Sequence, residues 1–466
     1  MIRTLSLALR NLLRNRRRSL ATLAAVALGA AAILLFGGYS ANIRYSMETA
    51  YVRSGGHLQI QHRDFNVFGS GNPTAYGMRD YRAIVDGLMR DEMLGGMVLV
   101  ATPTLQFGGI AGNYDAGVSK TIIGLGIVAA DHERMRGWNH YGIPLISPPL
   151  PLAGSKPDAA LIGVGVARVL QLCAELKVAQ CPAPEKESSA AGAALPKDIA
   201  LLAEAEGPSK AAGAASGLPR IELLATSARG TPNVAALEVV QAEGQGFKEL
   251  DDAYVGVHLA QAQRLVYGAA ASRATAIVVQ LRQPEQLGPA KARIEAKLAD
   301  WSGGQPLAVF DFEALNPFFV QTVQLFATIF GFVFALIGGL VLFTISNTMN
   351  AAVVERTVEI GTLRAMGLRQ AGIRRLFVVE GALLGAAGAV VGVVVALVLS
   401  ALINLLGLEW LPPGSAEPLP LVFRVWGETA TIVGVGAGLA LVAIASAWWP
   451  AYRAARLGIV DALRHA

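Results

Sequence analysis

The chain has 466 residues, 53% of them hydrophobic and only 16% charged, with mean hydropathy +0.46 and formal net charge +5. An ordinary soluble domain carries about 25% charged residues, and a disordered chain combines low hydrophobicity with high net charge, so disorder as the overall state is excluded. Two cysteines exclude a disulfide-rich secreted scaffold, and because the positive charge sits beside long apolar runs, no nucleic-acid partner is expected.

In chain order, residues 1–18 carry Arg3, Arg10, Arg14, Arg16, Arg17 and Arg18 with no acid, while Ile2, Leu5, Leu9, Leu12 and Leu13 recur at helical spacing. That pattern predicts a basic amphipathic helix lying along the inner leaflet. Four segments, 19–43, 314–354, 381–408 and 429–452, contain no charged residue. Each exceeds the roughly 20 residues a membrane span needs. Transmembrane helices are therefore expected at 19–41, 318–349 (with a stalk), 377–407 and 428–450. The first apolar run is longer than a signal peptide's, so this span is expected to be retained. Arg356, Arg364, Arg369, Arg374 and Arg375 in the loop at 350–376, and Arg453, Arg456 and Arg464 in the tail at 451–466, share a side with the basic start. Positive charge marks the cytoplasmic face, so both termini are expected inside and residues 42–317 outside, with a short external loop at 408–427.

The large block at 42–317 mixes periodicities. Leu58 and Ile60 alternate with Gln59 and Gln61, and 97–102, 121–127 and 275–281 also read as strands. Helix is expected at 79–89, 164–176 and 289–301, the last with Ile294, Leu298 and Trp301 on one face. The block is thus an α+β domain in two lobes, 42–125 joining 250–315, with the middle part as the second lobe. Residues 182–220 form an Ala-, Gly-, Pro-, Ser- and Glu-rich insertion with a short helix at 197–205. Cys173 and Cys181 both fall outside, where an oxidising compartment permits a disulfide. Asp131, His132, Glu133 and His140 lack metal-ligand spacing, so no metal site is expected. No catalytic constellation and no G-x-x-x-x-G-K-[ST] loop occurs. No enzymatic activity or cofactor is therefore expected of this chain. Paired glycines at Gly381/Gly385, Gly388/Gly392 and Gly434/Gly438 suit close contacts between spans.

The most specific signal lies between spans two and three. From Asn347 the sequence reads NTMNAAVVERTVEIGTLRAMG to Gly367, continuing through Ile373 and Phe377 to Glu380 and Gly381. It resembles the FtsX-like permease domain shared by lipoprotein-release and MacB-like ABC transporters. The chain end, with Pro450, Ala451, Tyr452, Arg453 and Asp461–Arg464, fits the same family, as does 254–263. The resemblance covers 318–466 and implies a permease subunit that dimerises with a second copy or a paralogue on a dimeric cytoplasmic ABC ATPase, which holds the ATP and Mg. A periplasmic adaptor or lipoprotein carrier is a further partner it suggests. By the resemblance Glu355, Arg356, Glu359, Ile360, Gly361, Arg364, Ala365, Met366 and Gly367 couple to that ATPase, with Glu355 and Glu359 on one face of a short emergent helix. The family moves its substrate, a lipoprotein or other hydrophobic envelope component, on the outer side of a bacterial inner membrane. The spans are expected to lack charges within the membrane. Two alternatives remain open: the permease of a tripartite efflux pump, and a transmembrane regulator of an envelope hydrolase.

Overall fold

The computed structural model describes residues 2–69, 71–144, 148–178, 181, 217–246, 248–268, 272–410 and 418–459. The expected helix at 197–205, nearly all of the insertion and the residues from 460 on lie outside these. The chain divides into two compact units, one built from 1–47, 317–410 and 419–466, the other containing 48–316.

The first unit is helical. A helix at Ile2–Arg14 precedes four helices long and apolar enough to cross a membrane: Arg16–Gly55, Pro317–Glu355, Gln370–Leu405 and Thr429–Ala455. The chain is thus a multi-pass membrane protein. The first, third and fourth of these helices are longer than the charge-free stretches that announce them. Backbone hydrogen bonds within a helix do not depend on side-chain polarity, so Arg44 and Glu48 continue the first helix beyond its apolar run. Between the second and third stands a short helix, Thr357–Ala365. The shared core runs from Val26, Ile33 and Leu34 through Val341, Ile345 and Met349 to Phe377, Leu384, Leu439 and Ala443. The N-terminal helix joins it through buried Ala8 and half-buried Leu12, leaving Leu7, Leu9 and Leu13 exposed. Its apolar face is therefore split between the protein and its surroundings.

The second unit is an α+β assembly on nine strands: β1 (Leu58–His62), β2 (Val98–Asn113), β3 (Val118–Ile127), β4 (Ala159–Gly163), β5 (Arg220–Thr226), β6 (Pro232–Glu243), β7 (Tyr254–His258), β8 (Ala276–Leu281) and β9 (Leu307–Asp311). The strand order is β3-β7-β4-β6-β5-β2-β8-β1-β9, and β3 also pairs with β2. Six strands therefore close a cycle, β2-β3-β7-β4-β6-β5, which leaves them no free lateral edge. The 16-residue β2 serves both parts. Its first half, Val98–Thr104, lies against β8, and Leu105–Asn113 pairs with β3. The β1, β8 and β9 strands and the helices Tyr81–Arg90 and Leu287–Trp301 share one core, with Leu58, Ile84, Ile277 and Ile294. The closed cycle packs another around Phe107, Ile162, Leu223 and Val257 with the helix Leu259–Tyr267.

Two expectations need correction. The lobe boundary does not fall at 125 and 250, because β2 runs on into the second core and carries β3 and β7 with it. The helix expected over 164–176 stops after Val164–Val169, since Gln171 and Lys177 adopt positive φ of 58° and 55°. Cys173 and Cys181 close this segment as a disulfide, Cα atoms 6.1 Å apart.

The last two turns of the first long helix, from Glu48, are held by the sheet. Buried Gln280 of β8 donates from Nε2 to the carbonyls of Val52 and Met135, each at 3.1 Å. His57 N–H donates to the Val279 carbonyl, and His57 Nδ1 accepts from Leu281 N–H at 3.0 Å.

Burial pushes His57 and His132 down from 6.5 to about 4, with the charge of His140 adding to the effect at His57. Both are neutral in the fold, while the unfolded chain takes up protons near the ordinary value. Stability is full above about 6.5 and falls as the pH drops toward 4, by ~1.4 kcal/mol per pH unit for each histidine. Thermal melts of the full chain in detergent between pH 7 and 5 should show this decline, and His132→Leu should remove about half of the slope.

Candidate functional site

The second long helix ends at Glu355. Arg356, at φ −110° and ψ 20°, breaks it, and the short helix Thr357–Ala365 starts on the other side. That helix ends in a Schellman motif: Gly367 N–H donates to Arg364 C=O and Leu368 N–H to Leu363 C=O, each at 3.0 Å. Gly367 has φ 95°, a conformation that requires glycine. The next long helix begins after Arg369. The expected single helix carrying Glu355, Arg356, Glu359 and Arg364 is therefore two helices with a break at Arg356.

Eight of the nine residues of this segment fall into three environments, with Arg356 apart from them. Ile360 and Gly361 are buried, Ile360 in the core with Ile373 and Phe377. These two hold the short helix down. Glu355 and Glu359 are half exposed, yet their charges are answered within the chain. Arg14 reaches Glu359 at 2.6 Å, Arg18 forks onto Glu355, and Asn15 donates to Glu355 at 3.0 Å. Arg364 donates to the Leu457 carbonyl. The open part is the tip, where Ala365, Met366, Gly367, Leu368 and Arg369 are exposed, Met366 at 71%.

Arg356 is buried and pairs with Glu380 of the third long helix at 3.1 Å. Its other nitrogen donates to Asn11 C=O at 3.0 Å, and Asn11 Nδ2 donates to Glu380 Oε1 at 2.6 Å. Glu380 falls inside the third span as expected from sequence, so the expectation of spans without charge is corrected. The carboxylate is tolerated because it is paired and hydrogen-bonded. Sequence reading missed this partnership, although residues 1–18 carry six arginines and no acid, while acids stand at 355, 359 and 380.

Below Glu380 the glycines of the third long helix make close contacts. A Cβ on Gly381 would stand 2.4 Å from Ala447 Cβ, and one on Gly385 2.2 Å from Ala443 Cβ. Gly388 and Gly392 face Val26 and Ala30 of the first long helix at 2.7 and 2.5 Å. Gly438 meets Phe334, whereas Gly434 has open space.

At the other end of this unit lies a cavity of about 650 Å³ between the first, second and fourth long helices. Phe326, Phe330, Phe334, Gly37 and Gly331 line it, with Arg44 and Glu428 at its rim. Tyr45 bridges the rim charges, donating to Glu428 at 2.9 Å and accepting from Arg44 at 2.8 Å.

Residues 325–459 match the family described as FtsX-like permease C-terminal. An uncharacterized ABC transporter permease of Methanocaldococcus jannaschii is 34% identical over 120 residues, 26% of this chain and 28% of that protein. The ABC transporter permease YtrF of Bacillus subtilis is 36% identical over 123 residues, with the same shares. The macrolide export ATP-binding/permease protein MacB of Escherichia coli K12 is 31% identical over 143 residues, 31% of this chain and 20% of MacB. The chain thus spans little more than a quarter of the first two relatives and a fifth of the third.

Gly385→Val should cost about 1–3 kcal/mol by overpacking, read as a lower melting temperature of the purified protein, while Gly434→Ala should be neutral. Equal melting temperatures for the two would refute the packing role of Gly385. Residues 325–459 are thus similar to the C-terminal part of FtsX-like permeases and to the matching segments of the ABC transporter permeases YtrF and MacB.

Proposed function

We propose that this chain is the permease subunit of a mechanotransmitting ABC transporter in a bacterial inner membrane. A separate cytoplasmic ATPase dimer binds ATP and Mg and docks on the tip of the short helix Thr357–Ala365. The observation that carries this reading is the tip itself. Within the matched segment, a helix fixed from below by Ile360 ends in exposed Met366. A bounded, anchored helix with an apolar end suits a groove on a partner. Because Glu355 and Glu359 are already paired, the docking contact rests on Met366 and its neighbours rather than on those charges.

The orientation follows the arginines, with the N-terminal helix, the short helix and the tail in the cytoplasm. The α+β unit is then the periplasmic domain between the first and second spans. The bonds from Gln280 to Val52, and from His57 into β8, support a path by which movement of the first helix reaches that domain. A second copy or paralogue fits along the second long helix, where Leu325, Ile329, Phe332, Leu336, Leu340 and Phe343 are exposed at steps of three or four residues. The aromatic-lined cavity supports a hydrophobic substrate class, lipoproteins among them. The similarity to MacB, a macrolide export protein, favours a tripartite efflux pump with a periplasmic adaptor as the second reading.

Two measurements test this. Tyr114→Cys, on an exposed site of the α+β unit, should react with an impermeant maleimide on intact cells, and Arg369→Cys only after permeabilisation. The reverse pattern would overturn the orientation. Met366→Asp should reduce ATPase co-purification more than tenfold, since burying a Met side chain is worth about 1.5–3 kcal/mol. Full retention of the ATPase would reject docking at this tip.

A further inference from the structure

A buried ionisable residue within a membrane span marks function more often than packing, because its presence is costly. Glu380 is such a residue, only 1% exposed. Its oxygens are shared by two elements far away in sequence, Asn11 at 2.6 Å and Arg356 at 3.1 Å. Arg356 closes the circuit by donating to the Asn11 carbonyl. The same arginine occupies the break between the second long helix and the short helix. Four elements therefore meet at one carboxylate, and each contact lies at the root of the short helix rather than at its exposed tip.

We propose that Glu380, Arg356 and Asn11 form a positioning latch that joins the N-terminal helix and the short helix Thr357–Ala365 to the third long helix, so that the three move as one body. The N-terminal helix is thereby a working part of the coupling apparatus and not only a membrane-surface anchor. Arg14 and Arg18, which reach Glu359 and Glu355 at the half-exposed edge, guide the same docking, while the buried trio fixes it. Glu380 is a positioning residue that acts through Arg356. The proposal rests on the coupling reading above.

The test uses the full chain in lipid nanodiscs, alone and with its co-purified ATPase. Glu380→Gln removes the charge and keeps the shape, Glu380→Asp keeps the charge, and Asn11→Ala cuts one arm without leaving a buried charge unpaired. In the permease alone, amide hydrogen exchange in 2–14 and 357–365 should accelerate at least tenfold in Glu380→Gln and measurably in Asn11→Ala, with β8 unchanged. In the complex, Glu380→Gln should retain ATPase in wild-type amount but lose the permease's effect on ATP turnover at least fivefold, and Glu380→Asp should recover most of it. Unchanged exchange in both charge-removing and arm-cutting variants would overturn the latch. So would accelerated exchange with wild-type turnover, or a folded Glu380→Asp as defective as Glu380→Gln. If the wild-type chain captures no ATPase, the coupling reading fails instead, while the exchange arm still decides whether the three elements are tied together.

Discussion

Close approach of the third long helix to its neighbours is the constraint on which the helical unit depends. In hydrocarbon no hydrophobic force draws helices together, so packing contact and small residues must do it. Gly381 and Gly385 admit Ala447 and Ala443 on one side, and Gly388 and Gly392 admit Val26 and Ala30 on the other. A methyl group at any of the four would lie well inside contact distance. The seam ends at Gly381, and the next residue toward the N-terminus is Glu380. The depth and rotation of that carboxylate are therefore set by the glycine contacts, and through Arg356 they set where the second long helix breaks.

Much of this was legible because its physics is local. Long charge-free runs demand spanning helices, and apolar residues at helical spacing among arginines ahead of the first run announce the amphipathic helix. The glycine spacing in the third span pointed to contacts that the fold makes. The helix ends were not legible, since polar residues such as Arg44 and Glu48 extend a helix that hydrogen bonding within its own backbone sustains. In the α+β unit, the strand at 97–102 continues to Asn113 through three glycines that weaken any strand pattern, at Gly108, Gly109 and Gly112. Partners on both sides, β3 and β5, keep it extended. The truncated helix after Val164 depended on positive φ at Gln171, a residue type that gives no warning of it.

The candidate site shows the same division. Of the two glycines expected to punctuate the segment, Gly361 lies buried inside the short helix, whereas Gly367 ends it through the Schellman bonds. The assignment of Glu355 and Glu359 to one helical face did not anticipate Arg356 as a break, because arginine is a good helix former and nothing local requires it to leave the helix. Its departure is dictated at long range by Glu380 and by the Asn11 carbonyl. Likewise Ile360 and Gly361 belong to a charged, loop-like stretch by sequence, yet they are buried by the neighbouring span.

The pairing of charges around the short helix also limits how a partner can recognise it. Exposed ion pairs such as Arg14–Glu359 are worth about 0.2–1 kcal/mol and are weakened by salt, so they guide placement without holding it. The buried Arg356–Glu380 pair is different, since removing one member strands the other in a dry site at a cost of about 3–5 kcal/mol. A partner that competed for Glu355 or Glu359 would gain only the weak outer contacts while loosening the arginines from their acids. One that gripped Met366 would gain apolar burial and leave the pairs intact. On the proposed reading the arrangement separates two tasks within about a dozen residues: the exposed tip, with Met366, would bind the partner, and the paired root would carry the force of binding into the third long helix.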